Sequence, residues 1–113
     1  MMIVKKTPEK PWPRYPIPDQ LIRKGEYRGE GLNVIEDKKE CTSIGIWDCD
    51  PVEYKWDYEY DEYIYMLKGE VTINEIGGDK HKLCAGDFAY FPRGTKNIWN
   101  IEKPIRNIYI IYR

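Results

Sequence analysis

From Glu53 to Asp61 the chain reads EYKWDYEYD, and every second residue is aromatic: Tyr54, Trp56, Tyr58 and Tyr60 alternate with Lys55, Asp57 and Glu59. A period of two marks a strand with one buried face and one solvated face. Carried on at the same parity, the aromatic side reaches Glu62, then Ile64 and Met66. Packing alone does not choose a carboxylate at the end of an aromatic row, because an unpaired buried charge is costly. From Leu32 onward the same kind of text repeats. LNVIE, TSIGIWD, VEYKWDY, EYIYML, EVTINEI, KHKLC, DFAYF, KNIWNIE and IRNIYIIY are short runs rich in β-branched and aromatic residues. Turn signals such as Asp50-Pro51 and Gly77-Gly78 separate them. Fifteen Ile and ten Tyr stand against two Ala, and no window has the period of a useful amphipathic helix. The chain therefore reads as an all-β sandwich or barrel.

The N-terminal stretch is different. Pro8, Pro11, Pro13, Pro16 and Pro18 fall within residues 1–20, and a residue without a backbone donor belongs neither in a helix interior nor in a central strand. This arm is expected to lie extended across the body, anchored by Trp12, Tyr15 and Ile17. Residues 21–31, LIRKGEYRGEG, read as a turn or short helical piece ending in glycines. The expected organisation is a proline-rich arm and lead-in over 1–31 and a β-barrel over 32–113.

Composition narrows the function classes. The formal net charge is −1 and the aromatic strand is locally acidic, which argues against a nucleic-acid partner. No apolar run approaches the roughly 20 residues of a membrane span. The first residues lack the apolar core of a signal peptide, so a cytoplasmic location is expected. Cys41, Cys49 and Cys84 have no C-x-x-C spacing and read as reduced thiols. His81, the single histidine, sits in the polar hairpin segment GGDKHK and reads as a surface residue, so no histidine dyad or triad can form.

Two local patterns carry a resemblance. Glu62 and Gly69 stand at the spacing E-x6-G, and Gly86, Pro92 and Gly94 form G-x5-P-x-G in the text GDFAYFPRG. With the aromatic strand before Glu62, these resemble the two motifs of the cupin superfamily, G-x5-H-x-H-x3,4-E-x6-G and G-x5-P-x-G-x2-H-x3-N. The resemblance covers roughly Gly45 to Tyr112 and implies a cupin-type jelly-roll barrel. It is closest to a short single-domain branch similar to ureidoglycine aminohydrolase and to the ethanolamine-utilisation cupin domain. The departures are as informative as the matches. The three histidine positions hold Trp56, Tyr58 and Asn97, so only Glu62 remains of the usual three-His-one-Glu metal set. The family's metal is not carried over, and no cofactor is expected.

The expected function is a metal-independent cupin that binds a small molecule, with Trp56, Tyr58, Glu62, Asn97 and Trp99 as the ligand pocket. The resemblance and Glu62 together suggest a nitrogenous or carboxylated metabolite. If the protein is an enzyme, Glu62 and Tyr58 are the candidate catalytic groups. The alternatives are a non-catalytic sensor or accessory subunit, and a metalloprotein with atypical ligands. A competing structural role for Glu62 is an ion pair with Arg93, Lys96 or Arg106. A homodimer is expected, because the arm carries apolar side chains, sheet edges need covering, and cupins often dimerise.

Overall fold

The computed structural model describes residues 1–113. A 3-10 turn at Asp19–Leu21 is followed by eight strands: β1 Ile22–Lys24, β2 Gly29–Asp37, β3 Thr42–Cys49, β4 Glu53–Asp57, β5 Asp61–Glu75, β6 Lys80–Cys84, β7 Phe88–Phe91 and β8 Lys96–Tyr112. All pairings are antiparallel. The all-β expectation holds, and no helix is long and apolar enough to cross a membrane.

β8 organises the sheet. On one edge its first half pairs with β4 and its second half with β3, while its other edge pairs with β5 along both halves. β5 in turn carries β7 on its first half and β6 on its second. The sheet thereby curls on itself and closes around a core that includes Trp47, Tyr54, Ile64, Met66, Val71, Trp99, Ile101 and Ile105. Alternate residues of each strand fill this interior, as the period of two requires.

Two expectations are corrected. The runs EYIYML and EVTINEI are one strand, β5, and KNIWNIE and IRNIYIIY are one strand, β8. Lys68-Gly69 and Lys103-Pro104 read as chain breaks, but they are where the two strands bend together. The register slips between Met66 and Val71, and bulges of this kind let a strand turn a corner without ending. Residues 21–31 are also more extended than expected: Leu21 closes the 3-10 turn, β1 follows at once, and β2 begins at Gly29.

The arm packs on its own barrel. Tyr15 N–H donates to the Gly29 carbonyl at 3.0 Å, and Gly31 N–H donates to the Pro13 carbonyl at 2.9 Å. Trp12 and Ile17 are buried. Trp12 lies between two cations, with Lys10 Nζ at 4.8 Å and the Arg106 guanidinium at 5.1 Å from its ring centroid. Both cations serve Asp48. Arg106 donates to its two oxygens at 2.6 and 2.9 Å, and Lys10 bridges Asp48 and Glu30. Burial opposes ionisation of Asp48, yet these cations hold its pKa below the ordinary value.

The outer face of the sheet is unusually apolar. Cross-strand register aligns Phe88, Tyr65, Ile108, Ile46 and Leu32 in one row across five strands. A second row begins with Tyr90 and Tyr63 and continues through Ile110 and Ile44. Phe88 is 81% exposed.

Trp12→Ala removes the ring on which both cations rest. It is expected to cost about 3 kcal/mol, the low end for a buried Trp truncation, and to speed tryptic cleavage after Arg14. Unchanged cleavage and stability would mean that the arm is held elsewhere.

Candidate functional site

One inward carboxylate is left without a partner. β5 begins at Asp61, after a turn through Glu59 and Tyr60 that interrupts the alternation of β4. Despite that interruption, Glu62 joins the side chains of β4 at a common cavity of about 50 Å³. Its position is set twice, by β8 on one side (Glu62 opposite Ile111) and by β7 on the other (opposite Phe91). Burial is the only influence acting on its carboxyl, and pushes its pKa up to about 7. None of the cations named as alternatives reaches it. Arg106 is engaged by Asp48, and at Arg93 it is the backbone N–H that donates to a carboxylate, that of Asp61, at 2.8 Å.

Aromatic rings make the cavity walls. β4 supplies Tyr54 and Trp56, the segment after it Tyr58, and β8 supplies Trp99. Tyr54 and Trp99 are cross-strand neighbours and stack at 5.8 Å between centroids with planes 20° apart. Trp47 of β3 meets Trp99 edge-on at 6.0 Å. Tyr58 stacks on Phe91 at 4.5 Å, and its hydroxyl accepts a hydrogen bond from Trp99 Nε1 at 3.2 Å. The phenol pKa values of Tyr54 and Tyr58 are raised far above the ordinary value, first by burial; for Tyr58 the charge of Glu62 comes next. These groups are hydrogen-bond donors at neutral pH, not bases.

The cavity adjoins a wider mouth of about 420 Å³. Tyr15, Trp56, Tyr58 and Glu62 line both spaces, and Pro18, Leu21, Asp57, Glu59, Tyr60, Ile111 and Arg113 complete the mouth. The structure therefore brings together Trp56, Tyr58, Glu62 and Trp99 of the expected pocket. Asn97 is placed otherwise. It is buried opposite Trp56 with its side-chain oxygen unpartnered; its side chain lies beside the Tyr58 hydroxyl, and the residue lines not the Glu62 cavity but a second one of about 460 Å³ bounded by β5, β6 and β7. His81 is exposed on that second cavity, outside the Glu62 site.

Five further residues line the Glu62 cavity: Tyr15, Ile17, Trp47, Asn107 and Tyr109. Asn107 and Tyr109 had a visible signal, because they share the inward parity of Ile105 and Ile111 in the run IRNIYIIY. Tyr15 and Ile17 come from the arm, whose docking no local pattern announces. Asn107 is the most informative of these. It is buried, and its side-chain oxygen has no hydrogen-bond partner.

The residues at the cupin metal positions do not fit a transition metal. The Trp56 indole has only an N–H and cannot ligate, and the Tyr58 phenol is held protonated by burial. Asn97 offers only a neutral amide oxygen beside that phenol, and no group of three or more His, Cys, Asp or Glu side chains comes close enough to hold a metal ion.

Comparison with known proteins agrees with this barrel. Residues 36–109 match the EutQ-like cupin domain, well over half of the chain. The chain belongs to the EutQ-like cupin family. It is 28% identical over 68 residues to the acetate kinase EutQ of Clostridioides difficile, which covers 60% of this chain and 43% of that protein. The chain thus spans less than half the length of that curated relative. The solved Clostridium difficile EutQ protein superposes with a TM-score of 0.67 at 21% identity, covering 76% of this chain and 63% of that one. A Pseudomonas syringae protein of unknown function from the DUF861 family superposes with a TM-score of 0.80 at 21% identity, over 88% of this chain and 43% of the other. At such identities these two structures speak for the fold alone.

The unpaired carboxylate has a measurable signature. With the folded pKa near 7 and the ordinary value near 4.5, the folded state holds the Glu62 proton more tightly than the unfolded chain. That stabilisation is complete below pH 4.5 and is lost as pH rises through 7. Glu62→Gln is therefore expected to match the wild type in urea denaturation near pH 5 and to exceed it near pH 8. The expected gain is on the order of 3 kcal/mol, from a shift of about 2.5 units. A variant less stable at both pH values would instead reveal a structural ion pair.

Proposed function

We propose that this protein is a metal-independent cupin that binds a small molecule in the aromatic mouth, with Glu62 as the polar centre of the site. One observation carries the reading: a desolvated carboxylate with no protein partner sits at the base of an open, aromatic-lined space. Such a group costs stability unless something else engages it. A thermal-shift screen of small amines, ureides and carboxylates tests this. A ligand at a hundred times its Kd adds about 2.7 kcal/mol to stability, and the shift is expected in the wild type and absent in Glu62→Gln. A shift that survives that substitution would place the site elsewhere. Binding is also expected to persist after dialysis against a chelator; loss restored by zinc or manganese would revive the metalloprotein alternative.

A second reading keeps the same residues and adds turnover. A carboxyl with a pKa of about 7 is matched to general acid–base work at neutral pH. Tyr58 would then act as a donor, because its oxygen accepts from Trp99 and burial keeps its hydrogen in place. The acetate kinase activity named for the Clostridioides difficile relative belongs to a protein more than twice the matched length, and nothing at Glu62 suggests a phosphate cradle. Saturable turnover lost in Glu62→Gln and reduced in Tyr58→Phe is the expected result if the site is catalytic.

We also propose that the protein works as a homodimer, joined through the outer apolar face rather than the arm. The arm already spends Trp12 and Ile17 on its own barrel. The first apolar row crosses five strands and the second four, and at about 4.8 Å per strand and 6.8 Å per outward residue the patch spans roughly 300 Å². Such a patch would form the apolar centre of an interface to which each partner commonly gives roughly 800 Å². Light scattering at micromolar concentration is expected to give a dimer mass, and Phe88→Glu combined with Tyr65→Glu a monomer. A monomeric wild type would end this proposal.

A further inference from the structure

Resting on the ligand-site reading above, we propose that the inner cavity takes the protonated amino head group of a small organic cation, held between the Glu62 carboxylate and the Asn107 side-chain oxygen within a box of aromatic rings.

The unspent hydrogen-bonding capacity of the cavity points to a donor. Glu62 and the Asn107 carbonyl are both acceptors: the Asn107 side-chain oxygen is buried with no partner, and Glu62, half-buried, has burial as the one influence on its carboxyl. Several of the donors around them are already used, and the Trp56 indole N–H and the Tyr54 and Tyr58 hydroxyls, which also line the cavity, donate to neither oxygen. Trp99 donates to Tyr58 and Trp47 donates to Tyr27, both at 3.2 Å, while the Tyr109 hydroxyl donates to Asn33 at 2.6 Å. An ammonium brings three donors and no acceptor, so it can satisfy both oxygens at once. A neutral hydroxyl can donate to only one of them, and a carboxylate would face Glu62 with like charge.

The walls favour the same charge. The rings of Trp47, Tyr54, Trp56 and Trp99 border this space, and the faces of such rings attract cations, most strongly where water is excluded. The protein supplies no cation of its own to the inner cavity. Arg106 is bound to Asp48, and Arg113 is held at the mouth by the Ser43 hydroxyl at 2.5 Å and the Tyr60 ring at 5.6 Å. Asp57 and Glu59 outnumber Arg113 among the charged groups of the mouth, so the approach is acidic.

The two spaces divide the ligand. About 50 Å³ admits a head group of a few heavy atoms, given that one water needs roughly 10–15 Å³ of such volume. The larger mouth, with Pro18, Leu21 and Ile111 in its lining, takes an aliphatic tail.

A cation at Glu62 competes with a proton there. The groups facing that carboxyl are Tyr15 from the arm, Tyr54 and Asp57 from β4, Tyr58 and Glu59 from the segment after it, Tyr109 from β8 and Arg113 just beyond it. Burial raises all four phenols and keeps them protonated at neutral pH. Cation affinity is therefore expected to fall about tenfold between pH 8 and pH 6, as a group titrating near 7 loses its charge.

The test uses three probes of one chain length: butylammonium, 1-butanol and butanoate. Each is titrated into the full chain while the indole N–H signals of Trp56 and Trp99 are followed by NMR. The expected result is saturable shifts with butylammonium alone, about tenfold weaker at pH 6 than at pH 8, and at least tenfold weaker at pH 8 in Glu62→Gln. Equal binding of 1-butanol, binding of butanoate only, or butylammonium binding indifferent to pH would overturn the cation while leaving a ligand site in place. If none of the probes moves either indole, the cation and the Glu62 ligand site both fall. The pH comparison on the wild type stands even if the variant folds poorly.

Discussion

The crossing of β5 over β8 at Gly69 is the constraint on which the rest of the barrel depends. Gly69 has φ near +88°, a conformation that residues with a Cβ rarely adopt. A Cβ there would also lie 2.2 Å from the Pro104 carbonyl oxygen and 2.8 Å from the Ile105 Cα, both backbone atoms that cannot step aside. The absence of a side chain lets the two longest strands bend around each other without parting. Because β8 pairs with β3, β4 and β5, its bend decides where three other strands lie. It also decides the site. Trp99 comes before the bend and Asn107 and Tyr109 after it, yet all three line one cavity, with Glu62 from the first half of β5 opposite.

Two desolvated carboxylates, Asp48 beneath the arm on the outer side of the sheet and Glu62 inside, show how differently the same barrel treats charge. Asp48 is desolvated but receives a two-pronged Arg106 and Lys10, and its proton is held less tightly than usual. It is a structural clamp: it joins β3 to β8 and, through Lys10 and Trp12, ties the arm down. Breaking such a pair by removing one partner leaves a buried charge and is costly. Glu62 has burial without compensation. A chain that pairs Asp48 so thoroughly has cations to spare at the surface, but none is directed to Glu62. The Asn107 oxygen beside it is unpartnered too, and buried polar atoms are seldom left so. Two unmet acceptors at one cavity mark a place where stability is given up locally, as at sites built for something that arrives from solution.

Much of this was legible in the sequence, for identifiable reasons. Alternation marks where chain direction and facing are locally determined, so Tyr54, Trp56 and Trp99 could be placed inward from spacing. Glu62 was harder, since the turn at Glu59–Tyr60 breaks the alternation; it is its pairing with both β7 and β8 that returns it to the cavity. The merging of EYIYML with EVTINEI was hidden because Lys68-Gly69 has the composition of a turn, and a bulge between two bent strands uses the same residues. The Asp48–Arg106–Lys10 cluster joins residues 58 and 38 positions apart in the chain, and no local pattern specifies such a meeting. Asn97 shows the limit of parity most clearly. It points inward as spacing requires, but a curled sheet has more than one interior space, and spacing does not say which.

The glycine and proline frame of the cupin motifs and the groups inside it are separable in physical terms. Gly69, Gly86 and Gly94 all have positive φ, and each serves backbone geometry alone; nothing approaches a Cβ position at Gly86 or Gly94. These residues shape the strand junctions whatever the barrel contains. The positions where cupins place histidines are then free to hold side chains of other chemistry. Here they hold an indole and a phenol at the cavity and an amide behind it, and the remaining carboxylate changes character in consequence. Beside a metal ion a glutamate is ionised and occupied. Among Tyr54, Trp56, Tyr58 and Trp99 it has neither a cation nor adequate solvent, so its proton is held until about pH 7. A carboxylate that a metal ion would hold ionised is thus, on this strand, a group whose charge depends on pH near neutrality.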